Sequence, residues 1–254
     1  MDTDGTGSEP ARVEPQLAVA CRVTRMLCRL RVLLAVTVFA IGMDTRDAPA
    51  APVATQERAL PFAADIQAFV SSDRTNPPAQ GAVLFIGSSS IRLWSSLAGD
   101  FPKHRVLNRG FGGSEIVDSV RYFEQIVLPY RPRLIVLYAG GNDIHGGKTP
   151  EQVLGDFKAF AEKTRLALPR TRLAYISIAP NPARWAEVDR VRAANRLIED
   201  YTRKQPQLTF IDVFPHMLGP DGAPKPDIYR EDRLHMNQKG YALWQGLVRP
   251  YLDP

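Results

Sequence analysis

Three consecutive serines, Ser88, Ser89 and Ser90, follow the apolar run Ala82 to Ile86 and one glycine, Gly87. A serine hydroxyl is a weak nucleophile at its own pKa. It needs a base within hydrogen-bond reach, a group that orients the base, and donors for the oxyanion formed on attack. Each part has a candidate in this chain. Asp232 and His235 stand three residues apart, a spacing that places both on one side of a tight turn. His235 can then take the serine proton on one ring nitrogen while Asp232 holds the other. For the oxyanion, the Asn142 side-chain amide and the backbone N–H groups of Gly113 and of the nucleophile itself are the donors, a glycine letting the backbone come close to substrate. Asn237, just beyond His235, predicts the cap of a final helix.

The elements that must position these residues are also legible. Short β-branched or apolar runs at 82–86, 105–108, 134–138, 173–178 and 208–213 predict strands, and amphipathic segments at 59–72, 114–125, 150–168, 183–204 and 238–252 predict helices. Strands that are apolar throughout and alternate with helices imply a parallel sheet covered on both faces. The expected fold is α/β: a three-layer α/β/α sandwich around a five-stranded parallel sheet, flavodoxin-like. In such sheets ligands bind beyond the carboxyl ends of the strands. The loops there carry Gly87 to Ser90, Gly110 to Ser114, Gly140 to Asp143 and Pro180 to Pro182. Asn181 and Trp185, after the fourth strand, are candidates for walls of a substrate pocket, and Trp185 serves equally as an anchor for the helix that follows. Ser90 reads as a helix cap, with Ile91, Leu93 and Trp94 turned inward.

Taken in order, Gly87-Ser88-Ser89, Asn108-Arg109-Gly110-Phe111-Gly112-Gly113, Gly140-Gly141-Asn142-Asp143 and Asp232-Arg233-Leu234-His235 resemble the sequence blocks of the SGNH hydrolase (GDSL esterase/lipase) family, over roughly residues 80–245. The resemblance implies that Ser89 is the nucleophile, with Asp232 and His235 completing the triad and Ser89, Gly113 and Asn142 forming the oxyanion hole. A small slide of the second block would put Gly112 or Gly110 in the place of Gly113. One departure is Ser88, which stands where the family carries aspartate. The implied reaction is hydrolysis of short-chain acyl esters through an acyl-enzyme, O-acetyl groups on carbohydrates included, with no cofactor and no metal. A lysophospholipase, a thioesterase, or a non-catalytic carbohydrate- or lipid-binding module on the same fold are the other readings.

Several classes are excluded. No Gly-x-x-x-x-Gly-Lys-Ser/Thr loop exists and Gly-x-Gly-x-x-Gly is not satisfied, which argues against a nucleotide site. His104, His145 and His216 lack metal-like spacing, and His145 reads as a solvated loop residue. Lys and Arg number 32 against 27 Asp and Glu, a net +5. That excess is modest and lies in no run, so no nucleic-acid partner is expected, only a small-molecule or carbohydrate ester. Residues 1–50 form a leader with an export signal: Arg22, Arg25, Arg29 and Arg31 precede an apolar stretch at 32–43, and Ala48-Pro49-Ala50 offers small residues for cleavage. Export to the periplasm or the exterior follows, with membrane contact only through an uncleaved signal. Residues 51–79 then read as linker and helix, and 80–254 as the hydrolase domain. Both cysteines, Cys21 and Cys28, fall in the leader, so the domain has no disulfide to staple it.

Overall fold

The computed structural model describes residues 60–253. The expected export signal and both cysteines lie outside the described residues. Five strands form one sheet: β1 (Val83–Gly87), β2 (Val106–Gly110), β3 (Leu134–Tyr138), β4 (Arg172–Ile176) and β5 (Leu208–Ile211). All pairings are parallel and the spatial order is β2-β1-β3-β4-β5. This is the flavodoxin-like order, in which the chain leaves β1 in one direction, returns on its other side as β3, and opens a crevice between the loops after those two strands.

The apolar runs become strands because every position of β1 and β3 is buried. Side chains alternate between faces. Leu84, Ile86, Ile135 and Leu137 face one cluster, while Val83, Phe85, Leu134 and Val136 face the other. The first face is covered by α1 (Ala63–Thr75), α4 (Ile116–Arg121), α5 (Phe123–Ile126), α7 (Pro150–Ala167) and α8 (Val188–Thr202). The second is covered by the one-turn helices α2 (Ser89–Arg92) and α3 (Leu97–Asp100) and by α9 (Gln238–Val248). One further short helix, α6 (Gly141–His145), follows β3. The predicted three-layer sandwich is the observed one. Among the described residues no helix is long and apolar enough to cross a membrane.

Differences from the sequence reading have local causes. The segment predicted as one helix over 114–125 is two, broken at Tyr122, whose hydroxyl donates to the Pro61 carbonyl at 2.5 Å. The predicted helix from Ala183 begins instead with a 3₁₀ stretch, Pro182–Glu187, because the Asn181 side chain accepts the Arg184 N–H and closes a tighter turn before α8. The fourth and fifth strands end at Ile176 and Ile211, short of the predicted 178 and 213, where the Ser177 hydroxyl accepts the Val213 and Phe214 N–H groups in place of a ladder carbonyl. Ser90 is not a cap: the helix starts at Ser89, and Ser88 takes the extended capping position. Helix α1, which precedes residue 80, packs Ile66 into the first core and is pinned by Asp73, which pairs with the buried Arg109 and accepts the Tyr130 hydroxyl.

Gly87 ends β1 at φ +128, and a Cβ there would lie 1.9 Å from the Tyr138 carbonyl oxygen. Only glycine permits that approach, and it lets the Ser88 N–H donate to the same carbonyl at 2.9 Å. Gly87→Ala combines left-handed strain with overpacking against backbone. It is expected to destabilise the fold by ~3 kcal/mol or more, measured by urea or thermal unfolding. A variant with wild-type stability would contradict this placement of the strand ends.

Candidate active site

The loop after β1 raises Ser89 on the first residue of α2, at the mouth of the crevice. Its Oγ lies 2.9 Å from His235 Nε2, across 146 residues of sequence. His235 Nδ1 lies 2.7 Å from Asp232 Oδ2, and the other carboxylate oxygen accepts the backbone N–H groups of Leu234 and His235, both at 2.9 Å. A carboxylate can only accept, so Nδ1 carries the ring proton and Nε2 is left as the acceptor for the Ser89 hydroxyl. Partial burial works against ionisation of Asp232, but the three hydrogen bonds from His235 and Leu234 outweigh it and bring its pKa to about 2. The turn that makes this geometry puts Arg233 at φ +56, and its ends are clipped by Arg230 N–H to the His235 carbonyl at 2.8 Å and Arg233 N–H to the Arg230 carbonyl at 2.9 Å. Asn237 caps α9 as the sequence predicts, accepting from Lys239 and Gly240 N–H, and its amide nitrogen also donates to the Asp227 and Tyr229 carbonyls.

The loop after β3 supplies Asn142, on α6. Gly140 precedes it at φ +115, where a Cβ would collide with Ile178 and the Tyr175 hydroxyl. Asn142 Nδ2 donates to the Ser114 carbonyl at 3.0 Å, so the amide sits against the loop after β2. In that loop Gly110 and Gly112 are spoken for by packing: a Cβ on the first would lie 2.2 Å from the Arg92 backbone nitrogen, and on the second 2.7 Å from the Arg92 guanidinium. Gly113 is different. It has φ +85 and its side-chain direction is open, with nothing closer than Phe62 at 3.9 Å.

Ser89, Asn142, Asn181 and His235 line one cleft, with Tyr138, Tyr229 and Trp244 among its walls. Gly113 and Trp185 are outside that lining; Gly113 adjoins Ser114, the residue whose carbonyl Asn142 holds, and Trp185 borders a smaller neighbouring cavity. Trp185 packs on the core, with Arg192 5.7 Å over its ring. His145 is exposed and pairs with Glu187 at 2.7 Å, outside the cleft lining. Among the described residues no group of three His, Cys, Asp or Glu side chains is arranged to hold a metal ion.

Residues 80–243 match the model of the GDSL-like lipase/acylhydrolase family. The chain belongs to that family. As a GDSL-like acylhydrolase it is a carboxylic ester hydrolase of the SGNH type, and the blocks quoted above fall within the matched residues. No curated protein matches it at significant similarity. Among solved structures it is similar to a candidate platelet activating factor from Streptococcus pneumoniae, at 21% identity and TM-score 0.68 over 75% of this chain and 92% of that one. It is similar also to a GDSL-like lipase from Bacteroides thetaiotaomicron, at 20% identity and TM-score 0.63 over 74% and 97% of the two chains. A third is a mutant form of Axe2, an acetyl-xylooligosaccharide esterase from Geobacillus stearothermophilus, at 13% identity and TM-score 0.55 over 70% and 96%. At these identities the likeness is one of fold.

Two groups of residues beside the site escaped the sequence reading. One is Arg184, which lines the same cleft and whose Nη1 donates to Asn142 Oδ1 at 3.0 Å and to the Gly141 carbonyl at 3.3 Å. Nothing in its sequence context marks it beyond nearness to Asn181. The other is Lys148, whose ammonium meets Glu115 at 2.8 Å, Asp143 at 3.0 Å and Asp156 at 2.5 Å. Asp143, fully buried, also accepts the Ile116 N–H, so this cluster ties the loop after β2 to the loop after β3. Burial pushes the Asp143 carboxyl up despite the pull of Lys148. Burial also opposes the charge on Lys148, but the three carboxylates outweigh it and hold the ammonium above its ordinary range.

Lys148→Met leaves Asp143 buried without its cation and is expected to destabilise by ~3 kcal/mol at pH 7. Because the Asp143 pKa is raised in the fold, its ionised form works against stability, and loss of the ammonium enlarges that effect. Below its unfolded value of 3.8 the carboxyl is protonated in both states and the effect vanishes. Unfolding curves of wild type and variant should therefore converge as the pH is lowered towards 4, and a pH-independent gap would contradict this account.

Proposed function

We propose that this chain is an exported serine esterase that hydrolyses short-chain acyl esters, with O-acetyl groups on carbohydrates as the favoured substrates. The observation that carries the reading is the continuous hydrogen-bonded line from Asp232 through His235 to Ser89, which ends in a cleft that Asn142 also lines. In this reading the Ser89 Oγ attacks the ester carbonyl carbon as its proton passes to His235 Nε2. Asp232 keeps the ring in the required tautomer and stabilises the imidazolium. The oxyanion is met by the Asn142 amide and the backbone N–H groups of Gly113 and Ser89. Collapse returns the proton from Nε2 to the leaving alcohol oxygen and leaves an acyl-Ser89. Water then gives its proton to Nε2, attacks the acyl carbon, and a second collapse releases the acid and restores the serine.

The size of the cleft supports a small acyl group. Its free space is about 40 Å³, room for about three waters by the measure in which one needs ~10–15 Å³. An acetyl group, with three heavy atoms, fits within that space, which favours short acyl chains over an octanoyl one. The polar wall contributed by Asn181 and the likeness in fold to an acetyl-xylooligosaccharide esterase support a carbohydrate as the alcohol half. The basic flank and apolar stretch of the leader support export.

Hydrolysis of p-nitrophenyl acetate, butyrate and octanoate, and acetate release from acetylated xylooligosaccharides, test the reading. Acetyl esters are expected to be turned over fastest and octanoate slowest. Ser89→Ala is expected to lower kcat by ~10⁴-fold or more, while Ser88→Ala and Ser90→Ala keep most of the activity. A preference for octanoate would overturn the substrate assignment, and equal activity in all three serine variants would overturn the mechanism.

A further inference from the structure

An asparagine amide is nearly symmetric in shape, and its two ends do opposite things. Turned one way, Asn142 offers N–H to a developing oxyanion; turned the other way it offers a lone pair and repels it. Its partners leave only one orientation. The Ser114 carbonyl, which can only accept, is 3.0 Å from Nδ2, and the Arg184 guanidinium, which can only donate, is 3.0 Å from Oδ1. A flip would set oxygen against oxygen on one side and N–H against N–H on the other.

Arg184 is itself held in place for this contact. Its backbone N–H is taken by the Asn181 side chain at 2.9 Å, it sits at the kink of the 3₁₀ turn, and the preceding Ala183 N–H donates to the Arg233 carbonyl at 3.1 Å. Its second bond, to the Gly141 carbonyl, fixes the guanidinium against the residue before Asn142. Among the described residues it forms no ion pair: the nearest acid in sequence, Glu187, pairs with His145. Nη1 is therefore directed at the amide oxygen, while the rest of the side chain borders the cleft. A cation on that oxygen draws electron density out of the amide and makes the remaining N–H a stronger donor.

We propose that Arg184 is a positioning residue for the oxyanion hole, orienting and polarising the Asn142 amide. The proposal rests on the esterase reading above. It makes a demand that a purely structural arginine does not: its effect must pass through Asn142.

A double-mutant cycle on acetyl ester hydrolysis tests this, with kcat and KM measured for wild type, Arg184→Met, Asn142→Ala and the double variant. Removal of one oxyanion donor costs ~10²–10³-fold in kcat. Arg184→Met should lose part of that, ~10-fold or more, with KM little changed, and Arg184→Lys should recover part of the loss. In the Asn142→Ala background, Arg184→Met should cost less than about twofold more, because the group it acts on is gone. Equal losses in both backgrounds would overturn the proposal, as would a loss confined to KM, or full kcat with only a lowered melting temperature. Absence of Ser89-dependent turnover in the wild type would instead remove the esterase reading, and this proposal with it.

Discussion

The 2.9 Å contact between the Ser89 hydroxyl and the His235 imidazole is the interaction on which the rest of the site depends. The two residues come from opposite ends of the domain, and neither sits in a long regular element. Ser89 is held by the end of a buried strand that only glycine lets approach β3 so closely. His235 is held by a turn that forces Arg233 into left-handed backbone, by the Arg230 clips, and by Asn237, which caps α9 and ties down the Asp227 and Tyr229 carbonyls at once. Helix α9 then buries Tyr241 and Trp244 against the second face of the sheet, with the Tyr241 hydroxyl donating to the Ser90 carbonyl at 2.9 Å. The packing of the last helix and the aim of the imidazole are thus one structural matter.

A second set of constraints holds the opposite wall of the crevice. Asn142 to Ser114, Asp143 to Ile116, and Lys148 to Glu115 are three successive ties between the loops after β3 and β2. The two loops flank β1 because β2 and β3 are its neighbours on either side. Strand order therefore does the coarse positioning, and the half-buried Lys148 cluster, built on the buried Asp143, does the fine positioning. A glycine with open space at Gly113, after two glycines that packing requires, is the kind of backbone that can present an N–H to a substrate atom.

How much of this was legible in sequence follows from the range of the interactions involved. Strands buried on both faces announce themselves as apolar runs, so the sheet and its parallel character were readable, as was the sheet edge that carries the candidate site. Asp232, His235 and Asn237 were readable as a local turn because their mutual contacts span only a few residues. Arg184 and Lys148 were not, since what makes them matter is a partner over 30 residues away in sequence: Asn142 for one, Glu115 for the other. The break at Tyr122 was hidden for the same reason, its anchor being Pro61. Ser90 was misread as a cap because a run of three serines gives no local signal for which of them starts the helix.

The central claim is that Ser89, and neither of its neighbours, is a nucleophile activated by His235. The most direct measurement is reaction of the folded protein with a fluorophosphonate, followed by intact-mass analysis and peptide mapping. The account predicts a single covalent adduct, on Ser89, that forms far more slowly in His235→Ala. No adduct, or an adduct on Ser88 or Ser90, would contradict it.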